Sequence, residues 1–229
     1  MNNSQKTVVF DLDGTLVNTL VDIKNAIDIS IKKYNFKSIN NSNLRKILGK
    51  GSKVLIKKTF EVNNYHPSNK EIEDTLTSFL KYYKNNLCIH SQTFPGILET
   101  LDWLKLNNIC IGICTNKYES LAKDLILKLK IDSYFNVITG GDTFNYRKPN
   151  PKHLIDTISL LGGIKENALM IGDSITDIQA ARNAGIPSIA VSWGYTDIAP
   201  KDLGANKTIT EGVELIPAIK SIFKNIIIK

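Results

Sequence analysis

Short apolar runs alternate with helical periodicities along most of the chain. Val8-Val9-Phe10 is the first run, Ile109 to Cys114 the second, Val137-Ile138 a third and Ala168 to Ile171 a fourth. Ser188 to Val191 is a fifth, and Lys207-Thr208-Ile209 a short sixth. Several are apolar on both faces, as expected of strands in a parallel sheet covered on each side. Between them fall spacings of three and four. Ile97, Leu101 and Leu104 follow Pro95-Gly96, and Leu121, Leu125 and Leu129 form a second set. Leu154, Ile158 and Leu161 end at Gly162-Gly163, and Ile175 and Ile178 are followed by Gly185. A glycine just past the last turn accepts the left-handed backbone that closes a helix. The alternation predicts an α/β fold built on a doubly wound, Rossmann-like parallel sheet.

The rhythm breaks between residues 18 and 88, where no strand pattern occurs. Leu20, Ile23, Ile27, Ile31 and Tyr34 make one helical stripe. Ile72, Leu76, Phe79, Leu80 and Tyr83 make another. Ser68, with Glu71 three residues on, reads as a capping box that opens the second. The pattern predicts a core of residues 1–17 and 89–229, with a small helical domain, 18–88, inserted between its first two strands. The crossings near 15–19 and 88–94 are the expected hinges.

Composition narrows the class. At 229 residues, 42% hydrophobic and 22% charged, the chain has the make-up of a globular protein and not of a disordered one. Its formal charge is +7, yet arginine occurs only at positions 45, 147 and 182 and the lysines are scattered. No basic run is interleaved with aromatics, so no nucleic-acid partner is expected. A net positive field does favour encounter with small anions. Cys110 and Cys114 fall on one strand with Cα atoms ~13 Å apart, too far for a disulfide. Cys88 is left unpaired by count. Free thiols, a polar N-terminus without a signal peptide and no apolar stretch of membrane-spanning length lead to the expectation of a cytoplasmic protein with no membrane association.

In an open α/β sheet, ligands bind beyond the carboxyl ends of the strands. The first strand runs into Asp11-Leu12-Asp13-Gly14-Thr15, the second into Thr115-Asn116-Lys117, and the fourth into Gly172-Asp173-Ser174-Ile175-Thr176-Asp177. The loop after the third carries Arg147-Lys148-Pro149. Asp11, Asp13, Asp173 and Asp177 would then converge. Like charges a few ångströms apart oppose one another's ionisation unless a cation intervenes. A hard divalent ion with oxygen ligands resolves the conflict, and Mg²⁺ suits carboxylates together with a phosphate. With Lys148 and Thr115 beside it, the set reads as a phosphoryl-transfer arrangement on a small phosphate ester.

These four motifs, in this order and spacing, resemble those of the haloacid dehalogenase superfamily, and the resemblance covers nearly the whole chain. Phe94-Pro95-Gly96, Tyr146-Arg147-Lys148-Pro149-Asn150-Pro151 and the segment from Asp177 to Gly185 are most similar to its phosphoglycolate phosphatase branch. The helical insertion resembles that branch's cap. Gly49-Lys50-Gly51 resembles the cap loop that faces the substrate, with Lys50, Ser52 or Lys53 in reach of a substrate carboxylate. The resemblance implies that Asp11 is the nucleophile, and that Asp13 protonates the leaving group and then activates water. It also implies that Mg²⁺ is held by Asp11, Asp173 and the backbone carbonyl of Asp13, with Asp177 acting directly or through water. Thr115, Asn116 and Lys148 would hold the phosphoryl oxygens. Pro149 biases Lys148 toward an extended backbone. Asn18 and Thr19 depart from the Asp and Ser common in the branch; they fall at the first hinge, outside the inferred metal shell.

The expected activity is thus Mg²⁺-dependent hydrolysis of a small phosphomonoester, first of all 2-phosphoglycolate, by a monomer or homodimer. A sugar phosphomutase or sugar-phosphate phosphatase of the same superfamily is one alternative. A non-catalytic basic binding protein is another, although a retired site has no need for both Asp11 and Asp13. Plainer readings exist for single residues. Asp173 could cap the helix that follows, and Trp193-Gly194-Tyr195 reads as core or rim packing. His66, His90 and His153 have no metal-ligand spacing.

Overall fold

The computed structural model of the chain describes residues 5–227, so the polar residues 1–4 read above lie outside it. In chain order the elements begin with β1 (Thr7–Phe10), β2 (Val17–Asn18), α1 (Leu20–Ile31), α2 (Asn41–Ile47), α3 (Ser52–Val62), α4 (Asn69–Asn85) and β3 (Gln92–Thr93). They continue with α5 (Ile97–Leu106), β4 (Cys110–Cys114), α6 (Glu119–Lys128), β5 (Val137–Thr139), α7 (Pro151–Leu160) and β6 (Ala168–Gly172). The last are α8 (Ile175–Ala184), β7 (Ser188–Val191), β8 (Lys207–Ile209) and α9 (Leu215–Ile227).

Six strands form a parallel sheet in the order β5-β4-β1-β6-β7-β8. They are the six apolar runs of the sequence. Alternate side chains of β1 serve opposite layers, as the period of a strand requires. Val8 and Phe10 join a cluster with Leu101 and Leu104 of α5 and Ile219 and Phe223 of α9. Val9 joins Leu154 and Ile158 of α7 and Ala181 and Ala184 of α8 on the other side. Helices on both faces make the sheet doubly wound. Strand β1 lies at its centre, with Thr7 opposite Cys110 on one side and Ala168 on the other. The carboxyl ends of β4, β1 and β6 are therefore adjacent, and the chemistry-bearing residues follow those ends. No helix among the described residues is long and apolar enough to cross a membrane.

Residues 20–85 hold four helices and no strand of the sheet. The two predicted stripes meet: α1 packs on α4, burying Ile23, Ile27 and Ile31 with Ile72, Leu76, Phe79 and Tyr83. The capping box forms as expected. Ser68 Oγ accepts from the Glu71 backbone N–H at 3.3 Å, and Glu71 accepts from the Ser68 N–H at 2.8 Å. Both crossings to the sheet are tied together. Strands β2 and β3 pair antiparallel, Val17 with Thr93 and Asn18 with Gln92. Asp22 of α1, itself buried, accepts the backbone N–H groups of Ile89, His90 and Ser91 at 2.8–3.1 Å and the Ser91 hydroxyl at 2.6 Å.

Candidate active site

Asp11 follows β1 directly, and its N–H continues the ladder to Ile171 O at 2.9 Å. That bond ties its backbone to β6. Lys148 reaches it from the loop after β5; its Nζ donates to Asp11 Oδ1 at 2.8 Å and to Asp177 Oδ1 at 2.6 Å. The Lys148–Pro149 peptide is cis. Asp177 stands in the first turn of α8, where its other oxygen caps the helix by accepting the Ser174 N–H at 3.0 Å and hydroxyl at 2.6 Å. The helix cap is thus Ser174 with Asp177, and not Asp173. Asp173 instead accepts from Thr15 Oγ1 at 2.8 Å and from the Tyr195 N–H at 2.6 Å.

Glycines let these groups approach. Gly14 has φ +91°, and a Cβ there would stand 2.5 Å from Asp173 Oδ2. At Gly194 a Cβ would lie 2.2 Å from that of Asp173. No side chain fits at either position without moving the acid.

Carboxylate oxygens of Asp11, Asp173 and Asp177 all lie within 4.8 Å of one another, and the three residues are buried. Lys148, also buried, is the cation among them. Three acids and one ammonium leave two negative charges in excess. Burial pushes the Asp11 carboxyl up to about 6, against the pull of Lys148 and helped by Asp177. Burial likewise raises Asp173 well above the carboxylate range, and the charges of Asp177 and Asp11 add to the effect. Lys148 stays charged despite its burial, because Asp11 and Asp177 flank it. An all-oxygen donor set carrying surplus negative charge fits a hard divalent ion such as Mg²⁺.

Beside the acids opens a cavity of about 50 Å³, space for a few waters or one compact ligand. Asp11, Asp13, Thr115 and Asn116 line it from the sheet edge. Gly49, Gly51 and Ser52 line it from the helical side. Asn116 joins the two sides, with Nδ2 donating to Gly49 O at 2.9 Å and to Lys148 O at 3.0 Å. Its Oδ1 is buried with no hydrogen-bond partner among the described residues. The loop thus faces the acids, but its lysines turn elsewhere. Lys50 Nζ lies 3.8 Å from Asp197, and Lys53 pairs with Glu73 on α4.

Asp13 is held by groups that sequence reasoning left unassigned. Lys117 Nζ donates to both its oxygens, at 2.9 and 3.0 Å, and also to the Tyr83 hydroxyl at 2.8 Å. Thr19 Oγ1 donates to Asp13 at 2.7 Å. The hinge position that departs from the resembled branch therefore touches the second acid. Tyr195 is more than rim packing. Its hydroxyl accepts the N–H groups of Thr19 and Leu20 at 2.8 and 3.0 Å and donates to Asn18 Oδ1 at 2.7 Å. One signal was available: Lys117 closes the polar run at the end of β4. The others belong to no motif: Thr19 meets Asp13 across the turn that follows β1, Tyr83 meets Lys117 from 34 residues away, and Tyr195 meets Thr19 from 176 away.

A family model for haloacid dehalogenase-like hydrolases matches residues 8–191, a span that holds Asp11, Asp13, Lys117, Lys148, Asp173 and Asp177. The chain belongs to that family. Among relatives of this hydrolase is a phosphoglycolate phosphatase of Agrobacterium fabrum, 39% identical over 92% of this chain and 91% of its own. A phosphoglycolate phosphatase of Mesorhizobium japonicum is 38% identical over 85% of this chain and 86% of its own. The crystal structure of a predicted phosphoglycolate phosphatase from Haemophilus somnus superposes on the hydrolase with a TM-score of 0.89. That pair is 26% identical, and the match covers 95% of this chain and 99% of the other.

Proposed function

We propose that this phosphatase hydrolyses 2-phosphoglycolate with the aid of Mg²⁺, through an aspartyl-phosphate on Asp11. The observation that carries the reading is the buried cluster of Asp11, Asp173 and Asp177, with Lys148 bonded to Asp11 and Asp177, beside a cavity that Asp11 and Asp13 line. The names and close likeness of the relatives support the choice of substrate. Three free thiols support a reducing, cytoplasmic setting. The division into a core of residues 1–17 and 89–229 and a cap of 18–88 belongs to the same proposal.

Asp11 attacks phosphorus, the ester P–O bond breaks, and Asp13 gives its proton to the departing glycolate oxygen. Asp13 then takes a proton from water, which attacks the aspartyl-phosphate; the P–O bond to Asp11 breaks and inorganic phosphate leaves. One carboxyl group serves as acid and then as base, as reversal of a proton transfer allows. Lys148 stands where negative charge gathers on the phosphoryl oxygens, with Thr115 and the backbone at Asn116 as further donors. Asp11 and Asp173, with the backbone carbonyl of Asp13, would hold Mg²⁺, and Asp177 would orient the set through Lys148. The ion would supply charge neutralisation for the acids and the phosphate.

Steady-state assays against 2-phosphoglycolate, glucose 6-phosphate and a nucleoside monophosphate should give the highest kcat/KM for the first, and chelator should remove activity. Turnover of a hexose phosphate without phosphate release would overturn the assignment in favour of a mutase.

The acids also make a pH-dependent prediction. Asp11 is raised from 3.8 to about 6, and Asp173 is raised too. Below about pH 4, Asp11 is protonated whether the chain is folded or not. As pH rises through about 6, the folded protein must release a proton that it holds more tightly than the unfolded chain does, so stability falls across that window. Mg²⁺ should offset this loss where the acids are ionised. Thermal melts should show Mg²⁺ raising Tm clearly at pH 7.5 and far less at pH 5. Equal shifts at both values would exclude the acid cluster as the binding site.

A further inference from the structure

The cavity beside the acids is walled on the helical side by apolar groups, among them Ile23 of α1, Leu55 of α3 and Phe79 of α4. Among its lining residues only Lys117 is a cation. Its side chain is 6% exposed, so its charge is spent on neighbours inside the cavity and not on bulk water. The other basic groups at hand are engaged or outside. Lys148 lies between Asp11 and Asp177, Lys50 faces Asp197, Lys53 pairs with Glu73, and Arg147, exposed to solvent, lies over Gly51 but does not line the cavity.

We propose that Lys117, with Tyr83, is the subsite that recognises the carboxylate of the leaving group, and that the substrate claims it by replacing Asp13. The proposal rests on the 2-phosphoglycolate reading. That substrate carries a second anion one carbon from the ester oxygen, and an anion entering a largely apolar cavity needs a paired cation. Lys117 offers one beside the acid that must serve the ester oxygen. Both Asp13 oxygens are bound by Lys117, and Thr19 adds a third donor. A substrate carboxylate can replace the Asp13 carboxylate on Lys117 with no change in the number of ion pairs. The exchange frees an Asp13 oxygen to face the leaving group. An ester lacking the carboxylate leaves Lys117 on Asp13, so recognition and readiness for proton transfer are coupled.

Tyr83 supplies the second contact. Its hydroxyl accepts from Lys117, and no acceptor for its own proton occurs among the described residues. Burial, with Asp13 nearby, raises this phenol well above its ordinary value, so it keeps that proton to donate. Tyr83 belongs to α4 and Lys117 follows β4, so the bound carboxylate would bridge the helical insertion and the sheet.

The test compares kcat/KM for 2-phosphoglycolate and for ethyl phosphate, in which a methyl group stands in place of the carboxylate. Lys117→Met slows both, because Asp13 loses a partner; the ratio of the two is the readout, and a merely structural role would leave it unchanged. The preference for 2-phosphoglycolate should fall roughly tenfold to a hundredfold, the range expected for a hydrogen bond to a charged group. Tyr83→Phe should lower it several-fold, and Lys117→Arg should keep most of it. A wild-type preference that survives in both Lys117→Met and Tyr83→Phe overturns the subsite and leaves the 2-phosphoglycolate reading standing. A wild-type protein that does not prefer 2-phosphoglycolate to ethyl phosphate overturns that reading, and the subsite with it.

Discussion

Asp11→Asn should abolish release of phosphate from 2-phosphoglycolate, a loss on the order of ten-thousandfold or more, as removal of a covalent nucleophile produces. The same substitution should not destabilise the protein without divalent ions. Asparagine keeps the shape of the side chain and drops its charge. That charge is unfavourable in the folded state, since burial raises the carboxyl from 3.8 to about 6. At about 1.4 kcal/mol per unit, the ionised group costs about 3 kcal/mol near neutral pH. Lys148 keeps its bond to Asp177 at 2.6 Å. In chelator at pH 7.5, Tm should therefore equal or exceed that of the wild type. The pairing of lost turnover with retained stability separates a chemical role from a scaffolding one. Activity above a thousandth of wild type would exclude covalent catalysis through Asp11.

Lys148→Met should act in the opposite sense on stability. It removes the buried cation from among three buried acids. Breaking such a set by deleting one partner costs about 3–5 kcal/mol. For a chain of this size that is a fall in Tm on the order of 10 °C in chelator. Turnover should fall by roughly a hundredfold to a thousandfold even with Mg²⁺ saturating, since a donor to the phosphoryl oxygens is gone. Mg²⁺ should restore much of the stability and little of kcat. A variant with wild-type kcat would place Lys148 in the architecture and outside the chemistry.

The strands could be read from the sequence because β1, β6 and β7 are buried along their whole length, and burial on both faces leaves unbroken apolar runs. The catalytic acids were equally legible, because a strand end delivers its next residues to one rim whatever the rest of the fold does. Elements with weak signatures were not found. Helix α2 has only seven residues, two of them Asn. Strands β2 and β3 have two residues each, too few for a period to show. Helix α9 follows the last strand and was not assigned, although Leu215, Ile219 and Phe223 recur at helical spacing and are buried. The partners of Asp13 stayed hidden for another reason. Lys117 and Tyr83 are a long way apart in the chain, and neither sits in a motif that names the other.

The antiparallel pairing of Val17 with Thr93 has a consequence for engineering. The chain leaves the sheet and returns to it at neighbouring points, so the helical excursion occupies a junction that a tight hairpin could close. A foreign module whose ends lie side by side would graft onto the same stem. Such a graft would also need its own acceptor for the three amides that Asp22 now holds, or the return strand would be left with unsatisfied donors at the splice.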